Sequence, residues 1–273
     1  MSAQARLQQF TTNVGGAVTL FFRARPVPGR WPAWPPHGRL AIGALAAILV
    51  VVVVAVALDA RSVASARGLP AAVFWPFRYI TDLGLSGWFL FPTAFLLLVI
   101  AAADSPTLPA FSRNVLAAIS IRIGFIFMAV AVPGLFVAIL KRLIGRARPF
   151  VAGEDPWTSQ ILVWRADHAS FPSGHATTAF AAAIAIGALW PRLRPVMWAY
   201  AVIIAVSRVI VVAHHPSDVV AGAIAGAIGA LLVRNWYASR RLGFAVAADG
   251  TVFKLPGPSW RRVKAVARRL VPA

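Results

Sequence analysis

Ser207-Arg208-Val209-Ile210-Val211-Val212-Ala213-His214-His215-Pro216-Ser217-Asp218 joins two apolar runs, from about Val196 to Val212 and from Val219 to Val233. Arginine, histidine and aspartate are expensive in hydrocarbon unless they face a polar site, so this stretch marks a function by default. Two earlier stretches match it in chemistry: Lys141-(six residues)-Arg148-Pro149 and Pro172-Ser173-Gly174-His175. Together the three supply cations, imidazoles, one carboxylate and a Ser-Gly turn able to open a helix. That inventory suits a phosphate group.

Outward from these motifs the chain reads as a membrane protein. Of its 273 residues, 59% are hydrophobic and 13% charged, and its mean hydropathy is +0.75. Further apolar runs occupy Leu40 to Leu58, about Leu85 to Ala103, a third stretch reaching Leu140, and Ala176 to Trp190. The third carries Arg122 near its start and Pro133-Gly134 as a possible kink. A bilayer core about 30 Å thick needs roughly 20 apolar residues per helix. The expected fold class is therefore all-α, a polytopic membrane helix bundle of about six transmembrane helices. A cytoplasmic N-terminal tail occupies 1–39, a membrane domain 40–235, and a basic cytoplasmic tail 236–273.

The small-x-small triplet Ala64-Ser65-Ala66 has the form of a signal cleavage site. The apolar run before it exceeds a usual signal core and the segment preceding that run is too long, so a retained anchor is expected. Residues 60–83 mix Trp75, Phe77 and Tyr79 with arginines, as at a headgroup boundary. Gly222 and Gly226 stand four apart in the last run and allow close helix contact, although plain composition explains them as well.

The formal charge of +19 would suggest nucleic acid in a soluble protein. Here much of it lies in tails and loops beside apolar spans, which points to anionic lipid headgroups instead. In the C-terminal tail, Ser259 can cap a helix with Trp260, Val263, Val266, Ala267, Leu270 and Val271 on one face and Arg261, Arg262, Lys264, Arg268 and Arg269 on the other. Such a helix is expected to lie on an anionic membrane surface. With both termini inside, most of the 27 Lys and Arg residues fall on the cytoplasmic side. All three motifs then meet at one outer boundary, expected to be the periplasmic face of a bacterial-type inner membrane. The absence of cysteine excludes disulfides, thiolate catalysis and Cys-based metal sites.

Residue by residue, the motifs suggest a site. Lys141 and Arg148 share a face if the third helix continues to Pro149, and two fixed cations can hold a dianion. A juxtamembrane basic cluster binding headgroups is the plainer reading, and Arg142 and Arg146 fit it. Ser173 can N-cap the helix that follows, whose free N–H groups bind anions, and Gly174 lets the backbone approach closely. His175 can give a proton to a leaving oxygen. Arg208 lies roughly a turn and a half before His214. His214 and Asp218 stand four apart across a helix start at Pro216, close enough for the carboxylate to hold one ring nitrogen and free the other as a nucleophile. His215 receives no role. A metal site from His168, His175, His214, His215 and Asp218 competes, but eight acidic residues in the whole chain are few for a divalent-metal phosphatase.

In order and spacing these residues resemble the type 2 phosphatidic acid phosphatase superfamily, which includes bacterial membrane lipid phosphatases and the vanadium haloperoxidases. Its signature K-x6-RP, PSGH and SR-x5-H-x3-D is matched by Lys141, Arg148 and Pro149, by Pro172 to His175, and by Ser207, Arg208, His214 and Asp218. The resemblance covers about residues 85 to 235. It implies an integral membrane lipid phosphatase that hydrolyses a phosphate monoester or diphosphate without metal or other cofactor. His214 would form a phosphohistidine, Asp218 would orient it, and His175 would protonate the leaving group. Lys141, Arg148, Ser173, the Gly174 N–H and Arg208 would hold the phosphate oxygens. Polyprenyl diphosphate, phosphatidate, phosphatidylglycerophosphate and lipid A phosphate all fit as substrates. A vanadate-dependent haloperoxidase and a non-catalytic phospholipid-binding or transport protein are the alternatives.

Overall fold

The computed structural model describes residues 3–23, 32, 37–153 and 155–270. Most of the Pro/Trp-rich piece between Pro26 and Pro36, together with Glu154 and Val271, lies outside the described residues. The helices are α1 (Ala3–Arg23), α2 (His37–Arg67), α3 (Ala71–Ile80), α4 (Gly87–Ala103), α5 (Ala110–Ile144), α6 (Pro149–Ala152), α7 (Gly174–Leu189), α8 (Arg194–Ile210), α9 (Pro216–Ser239) and α10 (Trp260–Leu270). A short hairpin of β1 (Phe244–Val246) and β2 (Val252–Lys254) is the one sheet among the described residues.

The all-α membrane architecture is present. Among the described residues five stretches are long and apolar enough to cross a bilayer: His37–Arg67, Ala71–Ala103, Ala110–Ile144, Pro191–Ile210 and Pro216–Ser239. The sixth expected span, α7, has 16 residues and a length of about 24 Å, short of a full bilayer core. On α2, Ile42, Leu45, Ile48, Leu49, Val53 and Val56 are all exposed, as side chains that face lipid must be. Its buried residues Ala55, Asp59, Val63 and Ala66 recur every three or four positions and form one inward stripe. The Ala64-Ser65-Ala66 triplet is thus a helical segment with Ala66 in that stripe.

By its contacts the chain divides into two compact units. The larger, residues 34–90 and 128–233, holds all three motifs. Its core is built of small residues, so backbones approach closely. Ala179, Ala183, Ala201 and Ile204 join α7 to α8, flanked by Ile80, Phe180, Met197 and Tyr200. A Cβ on Gly222 would overlap the Ser173 carbonyl oxygen, and one on Gly226 the Thr177 carbonyl oxygen. The two glycines therefore do set the approach of α9 to the start of α7.

The smaller unit comprises residues 1–33, 91–127 and 234–273. Part of the expected N-terminal tail is the helix α1, where Asn13 Nδ2 donates to the carbonyls of Ala101 and Asp104 at 2.9 and 2.7 Å. Arg122 is satisfied within the same unit by the carbonyls of Ala118, Leu255 and Pro256. The hairpin turns at Asp249-Gly250, where Gly250 has a φ of 81° and Asp249 Oδ1 accepts the Thr251 N–H. The helix expected from Ser259 is α10, but its placement differs from expectation. Val263, Val266 and Leu270 pack on Val115, Leu116 and Ile119 of α5, so part of the apolar face is covered by protein, while Trp260 and Ala267 on that face stay exposed. The basic face, with Arg261, Arg262, Lys264, Arg268 and Arg269, remains exposed.

Candidate active site

Each motif reaches the site from a different local structure. Helix α5 ends at Ile144 rather than running on to Pro149. Gly145 closes it with a φ of 58°, its N–H bonded to the Lys141 carbonyl at 3.0 Å, and a Cβ there would strike the Gln160 carbonyl. The chain then turns extended: Arg146 bridges Ser159, the Ala147 N–H donates to the Thr158 carbonyl and the Arg148 N–H to the Asp167 carbonyl. Lys141 and Arg148 consequently do not share a helix face. They come together because Arg148, extended before Pro149, stands just ahead of α6.

Ser173 occupies the N-cap position of α7, yet its hydroxyl caps nothing and is buried without a hydrogen-bond partner. Its carbonyl accepts the Thr177 N–H and hydroxyl at 3.0 and 2.8 Å, while its own N–H donates to the Asp218 carbonyl at 2.9 Å. That last bond ties the start of α7 to the first turn of α9. The Lys141 ammonium lies 3.4 Å from where a Cβ of Gly174 would stand, beside the open end of α7. His175 is half-buried in the first turn, against Gly84. Arg208, buried near the end of α8, donates through Nη1 to Thr81 Oγ1 at 2.6 Å, and its Nε has no hydrogen-bond partner.

His214 is fully enclosed, with Nδ1 3.6 Å from Asp218 Oδ2, too long for a direct hydrogen bond. Ser170 spans the gap, its hydroxyl 2.5 Å from Asp218 Oδ2 and 3.5 Å from His214 Nδ1. The same carboxylate oxygen accepts the His215 N–H at 2.9 Å, a reach back from the first turn of α9 that satisfies a free amide. His215 thus contributes its backbone here, and its ring Nδ1 stands 3.4 Å from that oxygen. Burial pushes the His214 imidazole down to about 4, opposed by Asp218 and reinforced by Arg208 and Arg148. The nitrogen is therefore neutral and unprotonated at neutral pH. Burial also lowers the Arg148 guanidinium from its ordinary value, with Asp218 opposing.

Arg148, Arg208 and His175 lie within electrostatic reach of His214, and Lys141 within reach of Arg148, Arg208, His175 and Asp218. The structure thus brings together all eight residues that the three motifs nominate. His168 stands apart from them, its ring paired with Asp167 at 3.0 Å. Hydrogen bonds from His168 and Arg165 hold the Asp167 carboxyl at about 2. Among the described residues no group of three or more His, Asp or Glu side chains converges as metal ligands, so the five-residue metal set does not assemble.

Arg146 is the correction of most consequence. It is not a headgroup-binding surface residue: it is buried, with Nη1 2.7 Å from Asp218 Oδ1 and Nη2 2.8 Å from Asp59 Oδ2. Ser170 and Thr81 contact motif residues, Ser170 at His214 and Asp218 and Thr81 at Arg208, while Asp59 and Ser217 bind Arg146 behind them; none of the four was singled out in the sequence. A usable signal existed for Asp59, a carboxylate directly after the uninterrupted run ending at Leu58.

The chain is similar in sequence to known proteins. The pattern of the PAP2 superfamily matches residues 122–242. A protein of Rhizobium johnstonii named lipid A 1-phosphatase is 36% identical over 183 residues, covering 66% of this chain and 75% of that protein. A Rhizobium etli protein of the same name is 40% identical over 128 residues, and the match spans 46% of this chain and 55% of that relative's length. Among solved structures, the transmembrane PAP2 type phosphatidylglycerolphosphate phosphatase of Bacillus subtilis aligns at a TM-score of 0.49 with 21% identity, covering 70% of this chain and 94% of the other. With one relative matched over most of its length and the family pattern lying across the site, this chain belongs to the PAP2 superfamily, the type 2 phosphatidic acid phosphatases.

Proposed function

We propose that this bacterial membrane protein is a lipid phosphatase in which His214 attacks the phosphorus of a lipid phosphate. The observation that carries the reading is the convergence of a neutral, buried His214, with Asp218 behind it, on the cations Lys141, Arg148 and Arg208 at the open end of α7. A binding or transport protein would need the cations but not the histidine–carboxylate pair.

Asp218 and the Ser170 hydroxyl lie on the Nδ1 side of His214, leaving Nε2 as the nucleophile. Nε2 forms a bond to phosphorus as the phosphorus–oxygen bond to the lipid breaks in line, and His175, protonated when the phosphate dianion offsets the cations around it, gives that proton to the departing oxygen. Water then attacks the phosphohistidine, losing its proton to His175, and inorganic phosphate leaves with His214 restored. Charge on the transferring group is met by Lys141, Arg148, Arg208, the unpartnered Ser173 hydroxyl and the Gly174 N–H. No step routes through a metal.

Lipid A carrying a 1-phosphate is the first substrate to try, because the relative matched over most of its length bears that name. Polyprenyl diphosphate, phosphatidate and phosphatidylglycerophosphate complete the panel. The distribution of Lys and Arg supports cytoplasmic termini and an active site at the periplasmic face. The exposed basic face of α10 then meets anionic headgroups of the inner leaflet.

Phosphate release from that panel by the detergent-purified protein in excess EDTA tests the reading. Wild type releases phosphate and His214→Ala falls by at least about a thousandfold, as expected when a nucleophile is removed. Wild-type turnover in His214→Ala would sink the mechanism, and saturable lipid binding without release would favour transport.

A further inference from the structure

Asp59 and Arg146 have no part in the chemistry above, yet both are buried against it. A buried ion pair is costly to desolvate, and apolar residues of similar volume often stabilise a fold as well or better. Its geometry points to a different use. The Arg146 guanidinium bridges two carboxylates: Nη1 reaches Asp218 Oδ1 at 2.7 Å and Nη2 reaches Asp59 Oδ2 at 2.8 Å. Ser217 locks the three together, its hydroxyl donating to Asp59 Oδ2 at 2.6 Å and its N–H to Asp59 Oδ1 at 3.0 Å. The Pro156 carbonyl accepts from Nε and Nη2 of Arg146, so the fork cannot rotate away.

The two oxygens of Asp218 are thereby divided. Oδ1 belongs to Arg146, and Oδ2 to Ser170, the His215 N–H and the His214 ring. We propose that Arg146 and Asp59 are positioning residues for the nucleophile: Arg146 turns Asp218 so that Oδ2 addresses His214, and Asp59 balances the Arg146 charge. This rests on His214 being the attacking group. Asp59, Arg146 and Asp218 carry one net negative charge, and that single charge stands behind an imidazole faced otherwise by cations. Removing Asp59 leaves the trio neutral, while removing the Arg146 charge leaves it doubly negative. The two losses act on His214 in opposite directions.

The acid limb of the kcat–pH profile reads this out, since attack requires neutral His214. The other groups facing His214 are the same in every variant, Ser170, Arg148, Arg208 on α8 and His175 on α7, with Lys141 on α5 reaching Asp218 beside it. Asp59→Asn is expected to move the limb to lower pH and Arg146→Gln to higher pH, each by about half a unit or more, with kcat reduced at least about tenfold. Arg146→Lys keeps the charge and loses the fork, so kcat falls while the limb stays within about 0.2 units. Limbs that do not move, or that move the same way in both neutral variants, would overturn the proposal and leave the network a purely structural one. If the neutral variants do not yield folded protein, Arg146→Lys decides alone: a lowered kcat with KM changed less than about twofold supports the proposal, and an intact kcat overturns it. Turnover by His214→Ala would instead defeat the phosphohistidine reading on which the proposal stands, so the two failures are distinguishable.

Discussion

At the scale of single residues, the depressed basicity of His214 has a consequence for stability. Its folded value of about 4 lies below the ordinary 6.5, so between those values the unfolded chain binds a proton that the folded protein refuses. Stability is therefore lost as pH falls through that window. From pH 7.5 to 5 this one group is worth about 2 kcal/mol. His214→Gln, neutral throughout, should show a smaller fall in detergent Tm over that range than wild type, by a few degrees, and an equal fall would count against the burial of a neutral imidazole. Six of the eight motif residues were legible in the sequence because ionisable groups in apolar surroundings announce themselves, and Ser173 and Gly174 because they stand beside His175 where an apolar helix begins. Arg146 was not: among Lys141, Arg142 and Arg148 it looks like one more juxtamembrane cation, and only the fold reveals the buried carboxylate opposite it. Ser170 and Ser217 carry no charge to set them apart from any polar loop.

At the scale of elements, the starts of α2, α8 and α9 were readable to within about three residues, while α2 and α9 run on nine and six residues past the apolar runs that marked them. The helical stretches α2 and α5 continue well past the hydrocarbon, and hydropathy sees only the part within it. The end of α5 was misplaced because Gly145, in the left-handed region, stops the helix four residues before the proline that seemed to mark its limit. The small hairpin went unread because its strands are three residues long, too short for a period of two to register. Gly222 and Gly226 left contact and mere composition equally open from sequence, and the backbone approach to Ser173 and Thr177 resolves the matter. Gly226→Ala would press a methyl group into the Thr177 carbonyl and force α7 and α9 apart. A loss of about 1–3 kcal/mol is expected, read as a lower Tm together with lower activity, since α7 carries Ser173, Gly174 and His175 of the proposed phosphate site. Gly134→Ala on α5, where a Cβ meets open space, is the control and should be neutral or slightly stabilising.

At the scale of the whole molecule, a chain without cysteine lends itself to a direct reading of topology. Single cysteines replacing exposed Gln160 and exposed Ala265 should react differently with a membrane-impermeant maleimide. Gln160→Cys is expected to label in intact cells once the outer membrane is breached, and Ala265→Cys only after the inner membrane is permeabilised. The reverse pattern would place the active site on the cytoplasmic side. The Asp59 contact has another bearing at this scale. The family pattern begins at residue 122, yet the carboxylate that closes the ring around Arg146 comes from the first spanning helix, more than sixty positions earlier. The segment 122–242 is therefore not an exchangeable cassette. A chimera that moves it needs a carboxylate at the matching depth of its first helix, whichever parent supplies that helix, and without one leaves an orphaned guanidinium behind His214.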